Sequence, residues 1–190
     1  MNIDEIKNKL FNKINLSVEE SIFLFNLIMK GEVEEIDLAS ILIALKIKTE
    51  SIDEIHGAVK IMREKSLKIS SPTNSIDTCG TGGDMSGTLN ISTSAALIAA
   101  SAGATVAKHG NRSISSKSGS ADMLEKLNIN ISSEKQKLED SLKKNKFCFL
   151  FAQYHHTAMK HVIGVRKKLG TRTIFNLLGP LTNPASTKKQ

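Results

Sequence analysis

Apolar positions along the first 67 residues recur at helical spacing, interrupted by start and stop signals. Ser17 and Glu20 form a capping-box pattern ahead of SIFLFNLIMK, and Gly31 ends that helix. Ser51 and Glu54 repeat the device, after which Ile55, Val59 and Met62 fall on one helical face. Between the two, EEIDLASILIALKIK is apolar enough to predict a well-buried helix. The pattern predicts a small helical bundle over residues 1–70, a scaffold or interface with no chemistry-bearing cluster of its own.

The pattern changes at SLKISSPTNS (66–75), a polar stretch with Pro72 that reads as a crossing between subdomains. SID then leads into a glycine-rich loop. STSAALIAASAG reads as a small-residue helix ending at Gly103, ATVA as a short buried strand, and KHGNRSISSKSGS as a second polar loop. ADMLEKL reads as a helix, Ser133 and Gln136 as the cap of a helix over EKQKLEDSLKKN, and FCFLF as a strand. Strands alternating with helices predict an α/β domain with a mainly parallel sheet over residues 71–190. Residues 166–190 either complete that domain or return to the helical one.

Composition narrows the functional classes. Of 190 residues, 40% are apolar and 24% charged, enough for a buried core in an ordinary globular chain. The net charge is +7, but the cations are dispersed. Phe147, Phe149 and Phe151 alternate as in a strand and are not interleaved with arginine, which argues against a nucleic-acid platform. A phosphorylated small substrate also suits a basic chain. Two cysteines make no disulfide framework. Cys148 reads as inert core, and Cys79 as a small neutral filler in the glycine loop, a nucleophile being the alternative. No apolar run approaches the roughly 18 residues of a membrane span. MNIDEIKNKL lacks the apolar core of a leader, so a reducing cytoplasm is the expected location.

The segment DTCGTGGDMSGTLNIST (77–93) holds four glycines and four threonines, a composition that no packed core uses. Gly80, Gly82, Gly83 and Gly87 run into a helix that starts near Asn90, an arrangement suited to cradling an anion. Thr81, Thr88, Ser92 and Thr93 add hydroxyl donors. Asp84 suits ribose hydroxyls or a divalent cation. The spacing is neither that of the P-loop nor that of the dinucleotide fingerprint, and a tight turn with incidental hydroxyls is the alternative. The second loop, KHGNRSISSKSGSAD (108–122), adds Lys108, Arg112 and Lys117, with serines at 113, 115, 116, 118 and 120. Loops leaving the carboxyl ends of parallel strands face one crevice, so the pair would fit a ligand with two separated phosphate groups. A solvated basic loop is the competing reading. His155 and His156 lack the i, i+4 spacing of helical metal ligands and read as polar-loop histidines, and His161 as a helix-surface residue.

GTGGD, NIST, KHGNRSISSKSGSADMLEKL and VRKKLGTRTIFNLLGPLTNPA, in this order, resemble the motifs of the anthranilate phosphoribosyltransferases. The resemblance covers essentially the whole chain. It implies a helical subdomain on an α/β domain, a homodimer formed through the helical part, and no membrane or nucleic-acid partner. The implied reaction, in tryptophan biosynthesis, transfers the phosphoribosyl group of phosphoribosyl pyrophosphate to anthranilate, with Mg2+ and without a strong general base. The resemblance places phosphoribosyl pyrophosphate at Gly80, Gly83, Asp84, Thr88, Asn90, Ile91, Ser92, Thr93, Lys108, His109, Gly110, Asn111, Arg112, Ser113, Ile114, Ser115, Ser116 and Ser120. Ser92 is implied as the magnesium contact. Gly80, Asn111 and Arg166 are implied for anthranilate, with His109 and His156 lining its channel. The chain departs from the family at Gln153 and Thr157, near which proline is frequent, and at Asn128, where glycine is. An acidic Asp-Glu magnesium pair lies beyond this stretch in family members. From this the 190 residues alone are expected to be inactive, with ALIAASAGATVA and FCFLF incompletely covered. The same-fold alternative is a pyrimidine nucleoside phosphorylase, whose second loop differs from KHGNR. The other is a non-catalytic binding or dimerisation module.

Overall fold

The computed structural model describes residues 1–82, 90–112 and 119–190. In chain order its helices and strands are α1 (Ile3–Phe11), α2 (Val18–Lys30), α3 (Glu35–Lys48), α4 (Ile52–Lys65), α5 (Ile91–Ser101) and β1 (Val106–Gly110). They continue as α6 (Ser120–Lys126), α7 (Lys135–Asn145), β2 (Phe147–Phe151), α8 (Ala152–His155), α9 (Lys160–Leu169) and α10 (Ile174–Leu181). Met1–Lys65 and Thr157–Leu178 form one compact unit, Ser66–His156 and Gly179–Gln190 a second. No described helix is long and apolar enough to cross a membrane.

The first unit is helical. Ser17 caps α2 as its sequence predicts: its Oγ accepts from the Glu20 N–H at 3.2 Å while Glu20 accepts from the Ser17 N–H at 2.9 Å. Gly31, at φ 76°, stops the helix. Ser51 and Glu54 also form their reciprocal bonds. Glu54 is more than a cap, however. It is fully buried and accepts from the Leu16 N–H at 2.9 Å and from Lys48 Nζ at 2.9 Å, with Lys48 only 3% exposed.

The deepest face of α4 is Gly57, Ala58, Ile61 and Met62; Ile55 and Val59 sit at its margin, which corrects the face read from spacing. The reason is close approach. A Cβ on Gly57 would lie 2.5 Å from Ser21 Cβ and 2.8 Å from the Val18 carbonyl oxygen. Bare backbone there lets α4 lie against α2, and Ser21 Oγ donates to the Glu54 carbonyl at 2.7 Å. Leu24, Phe25, Ile28, Leu38, Ile41, Leu42 and Leu45 fill the core with Val162, Val165, Phe175 and Leu178.

The second unit is built on parallel strands. β1 pairs with β2 from Val106 opposite Phe147 to Gly110 opposite Phe151, and Ile76 makes a parallel bridge to Val106 and another to Lys189. Alternation divides β2 between two cores. Phe147, Phe149 and Phe151 join Ala96, Val106, Ala121 and Leu124, whereas Cys148 and Leu150 join Ala107, Leu138 and Leu142. FCFLF is therefore covered on both faces, contrary to expectation, because α5 and α6 supply one layer and α7 the other. The expectation of incomplete cover holds on α5, where Ile98 is 71% exposed.

Three further readings are corrected. β1 extends past ATVA to Lys108, His109 and Gly110, since pairing with β2 and not polarity decides where the strand stops. Ser133 and Gln136 do not cap α7. Glu134 holds the cap position without a side-chain bond, its N–H going to Ser132 Oγ at 3.0 Å, and Gln136 donates to Asp140 at 3.0 Å. His155 and His156 are buried. His155 Nδ1 donates to the Leu67 carbonyl at 2.7 Å and its own carbonyl accepts the Leu67 N–H at 2.9 Å, which pins the two ends of the Ser66–His156 segment together.

Candidate functional site

Ile76, β1 and β2 run parallel, so the chain leaving each of them comes off the same end of the sheet. These departures are Asp77–Gly82, Asn111–Arg112 and Ala152–His156. The strand end is tight: a Cβ on Gly110 would lie 2.8 Å from the Phe149 ring and 3.1 Å from Ser120. Gly80, by contrast, has open space around it.

Asn90 caps α5, accepting from the Thr93 N–H at 3.1 Å and from Ser92 Oγ at 3.2 Å. Thr78 Oγ1 donates to the Ser92 carbonyl at 2.9 Å, tying the start of the glycine loop to the first turn of the helix. Thr93 Oγ1 is buried with no partner, and Ile91 is exposed. Gly83, Asp84, Gly87, Thr88, Ser113, Ile114, Ser115, Ser116, Lys117 and Ser118 lie outside the described residues.

A carboxylate that sequence reasoning missed organises this end. Asp77, 2% exposed, accepts through Oδ1 from the N–H groups of Thr78 at 2.7 Å, Cys79 at 3.0 Å and His109 at 3.0 Å. Its Oδ2 accepts from Asn183 Nδ2 at 2.8 Å, and the same Nδ2 donates to the Ala107 carbonyl at 2.8 Å. Burial raises the Asp77 pKa, and the bonds from Asn183 and His109 oppose that rise.

Asp77, Cys79 and His109 each bring a donor atom within 4.8 Å of the others, yet the set suits a metal poorly. Every contact of the carboxylate is already an N–H donor. Burial, and next the Asp77 charge, push the Cys79 thiol up to about 12, away from the thiolate a soft metal takes.

Lys108 stands not in a polar loop but inside β1, 1% exposed, with Nζ 3.4 Å from the His109 carbonyl. Burial lowers its pKa, while Cys79 and Asp77 raise it. Arg112 is exposed but already matched. It donates to Glu125 at 2.7 Å and to Asp122 at 3.1 Å, with its guanidinium carbon 5.7 Å from the Phe151 ring centroid. Asn111 Oδ1 accepts from the Arg112 N–H at 2.8 Å and from Gln153 Nε2 at 3.4 Å.

The rings of His109 and His156 lie 5.1 Å apart. His109 Nδ1 donates to the Gly179 carbonyl at 2.9 Å, which leaves Nε2 as an unprotonated acceptor. The Nε2 atoms of both rings are buried without partners. Burial holds both rings neutral, His109 at about 4 and His156 at about 3. The pair forms an aromatic wall able to accept a substrate N–H. In the helical unit, Arg166 is half-buried, donates to Asn176 Oδ1 at 3.3 Å and places its guanidinium carbon 5.6 Å from the Phe175 ring centroid. Its Nε has no partner.

A helical bundle and a unit of parallel strands flanked by helices define a two-part class of proteins that joins an all-helical and an α/β part. The family described as "Glycosyl transferase family, helical bundle domain" matches residues 4–66, and "Glycosyl transferase family, a/b domain" matches residues 72–190. The chain belongs to this glycosyl transferase family. Within it, the chain is 53% identical over 190 residues to the anthranilate phosphoribosyltransferase of Saccharolobus solfataricus, covering 100% of this chain and 54% of that protein. Among solved structures it resembles the anthranilate phosphoribosyltransferase of Thermus thermophilus, with a TM-score of 0.87 and 43% identity over 94% of this chain and 55% of that one. It also resembles the Saccharomyces cerevisiae enzyme in complex with PRPP and Mg, with a TM-score of 0.82 and 30% identity over 96% of this chain and 55% of that one. The chain thus spans about half the length of the relatives it matches.

Proposed function

We propose that this chain provides the phosphoribosyl-pyrophosphate-binding part of an anthranilate phosphoribosyltransferase, acting in tryptophan biosynthesis. The observation that carries the reading is the Asn90-capped start of α5, tied by the Thr78–Ser92 bond to the root of the glycine-rich segment, where Gly80 has open space around it. A helix N-terminus beside bare backbone favours a polyanion. The diphosphate and ribose phosphate would engage Gly80, Asn90, Ile91, Ser92 and Thr93 from the first loop, with Gly83, Asp84 and Thr88. His109, Gly110, Asn111, Arg112 and Ser120 would complete the site with Ser113 to Ser116, and Lys108 would act as a charge beneath it.

In the reaction, the anthranilate nitrogen bonds to the anomeric carbon as the carbon–oxygen bond to pyrophosphate breaks. The amine is uncharged at neutral pH, so its lone pair needs no strong base. The barrier lies in the leaving charge and the cationic sugar, which makes positioning and electrostatics the main contributions. Mg2+, when bound, neutralises the leaving diphosphate. Ser92 fits such an ion, because its hydroxyl hydrogen goes to Asn90 and its oxygen lone pairs stay available. Asn111 and Gly80 would contact anthranilate, with the His109 and His156 rings along its channel. Arg166 would bind its carboxylate by two parallel hydrogen bonds.

Exposed Phe11, Ile36, Ile47 and Ile52 support a homodimer through the helical unit. Two free cysteines suit a reducing cytoplasm. Thermal shift with magnesium phosphoribosyl pyrophosphate, followed by anthranilate or thymidine, tests the function. Stabilisation by phosphoribosyl pyrophosphate and anthranilate is expected. Stabilisation by thymidine and phosphate instead would move the chain to the nucleoside phosphorylases.

A further inference from the structure

Asp77 is the residue on which three segments of the α/β unit converge. Its backbone N–H bonds the Lys189 carbonyl at 3.0 Å, and the Ile76 peptide before it joins β1 through the Ala107 N–H at 3.0 Å. Its side chain holds the first two amides of the glycine loop, the His109 amide of β1 and the Asn183 side chain. All four partners are N–H donors, so the site is shaped for an ionised carboxylate and not for an acid or an amide. Any amide in its place would turn its own N–H2 toward at least one of them.

A buried anion of this kind needs a cation. Among the described residues Lys108 is the buried lysine of this unit, and its ammonium approaches the carbonyl of His109, the residue whose N–H the carboxylate holds. Among the described residues, the titratable groups that act on Lys108 are Asp77 and Cys79. The Cys79 thiol is neutral at physiological pH and His109 beside it is uncharged, so among the described residues Asp77 is the one counter-charge in that range.

We propose that Asp77 is a positioning residue for the phosphate cradle: it fixes the Thr78 and Cys79 amides at the root of the glycine loop and serves as the counter-charge of Lys108. It touches no substrate. It acts through the loop backbone and through the lysine, whose charge it sustains until a polyanion takes over that role. The assignment rests on the phosphate-binding reading above for its purpose, but not for its test.

The test is first made without ligand, on the full chain with labelled lysine, by following the Lys108 side-chain NMR signal against pH. Asp77→Asn should move the Lys108 midpoint to lower pH, because burial then acts unopposed. Asn183→Ala loosens the same carboxylate but leaves its charge, and should leave the midpoint in place. An unmoved midpoint in Asp77→Asn, or an equal movement in both variants, overturns the proposal. Magnesium pyrophosphate then serves as probe, each variant being compared with wild type at the same pH so that the probe's own titration cancels. The affinity deficit of Asp77→Asn should grow from pH 6 to pH 9 and reach about tenfold. A deficit that does not change with pH marks a merely structural role and also overturns it. Failure of the wild-type chain to bind pyrophosphate would sink the phosphate-binding reading, while the lysine titration still decides the role of Asp77. Should Asp77→Asn not fold, the wild-type chain answers alone. On acidification the Thr78, Cys79 and His109 amide signals should shift together as the Asp77 carboxyl titrates, and signals that fail to follow it overturn the assignment.

Discussion

Mild acid should weaken the α/β unit through His109 and His156. Both rings are buried and neutral, with pKa values pulled down to about 4 and about 3. In the unfolded chain each returns to roughly 6.5. Below that value the unfolded state takes up protons that the folded state refuses. The stability contributed by the neutral rings is therefore complete above pH 6.5, and is lost as pH falls from there toward 4 and 3. At pH 5 the linkage relation gives about 2 kcal/mol for each ring, hence about 4 kcal/mol for the pair. At roughly 2–4 °C per kcal/mol for a chain of this size, the melting temperature should drop by about 8–16 °C between pH 7 and pH 5. His155, also lowered by burial, acts in the same direction. Glu20, Glu125 and Glu139 have lowered pKa values and matter only further into acid, while Asp77, raised by burial, acts in the opposite sense. Calorimetric melts at pH 7 and pH 5 measure the drop, and the His109→Gln/His156→Gln double variant should show a much smaller one. His109 or His156 ring signals titrating near pH 6.5 in the folded chain, or a stability that is flat between pH 7 and pH 5, would refute the reasoning.

Glu54→Ala strands the buried Lys48 and two backbone N–H groups, and should cost about 3–5 kcal/mol in urea unfolding, whereas Lys48→Met with Glu54→Leu should recover most of that loss; a single-variant loss below about 1 kcal/mol would contradict the buried pair. Gly57→Ala pushes α4 off α2 and should cost about 1–3 kcal/mol, while Gly164→Ala, on an exposed turn of α9 with open space around its Cβ position, should gain about 0.5–1 kcal/mol. Thermal melts of the two variants moving in the same direction would refute the packing argument. Lys108→Ala should weaken magnesium pyrophosphate binding by about 1.5–3 kcal/mol in calorimetric titration, and equal affinities would remove Lys108 from the site.

Signals carried by neighbouring residues were legible in the sequence. Ser17 with Glu20, Gly31 and the start of α5 near Asn90 are local chemistry, and the structure repeats them. The alternating phenylalanines of FCFLF likewise describe a strand, though not that both of its faces are covered. What could not be read depends on partners far along the chain. Lys108 and His109 look like loop residues until FCFLF is laid beside them. The Asp77–Asn183 bond joins residues 106 positions apart, and neither TCG nor LTNP announces the other. Glu54 reads as a cap because its second role, receiving Lys48 and Leu16, comes from packing. Arg112 reads as a free cation because its partners Asp122 and Glu125 stand 10 and 13 positions further along the chain. The glycines and hydroxyls named the chemistry of the site, but nothing in the motif marked its first residue, Asp77, as the carboxylate that orders the root of the loop.

The helical unit is discontinuous: Thr157–Leu178 belongs with Met1–Lys65, and Phe25 packs on Phe175 with ring centroids 5.8 Å apart. During synthesis, α2 and α3 leave the ribosome long before α9 and α10 exist. At roughly 5–20 residues per second, the stretch from Ser66 to Leu178 takes about 6–23 s to emerge. For that interval Leu24, Phe25, Leu42 and Leu45 belong to a core that lacks part of its wall. The Ser66–His156 part of the α/β unit emerges while the first helices wait, and the Leu67–His155 clasp brings the two flanks of that insertion together. Vectorial synthesis thus leaves these apolar helix faces uncovered until Leu178 has emerged, and slowing elongation within Ser66–Leu178 should raise aggregation more than the same pause placed after Leu178.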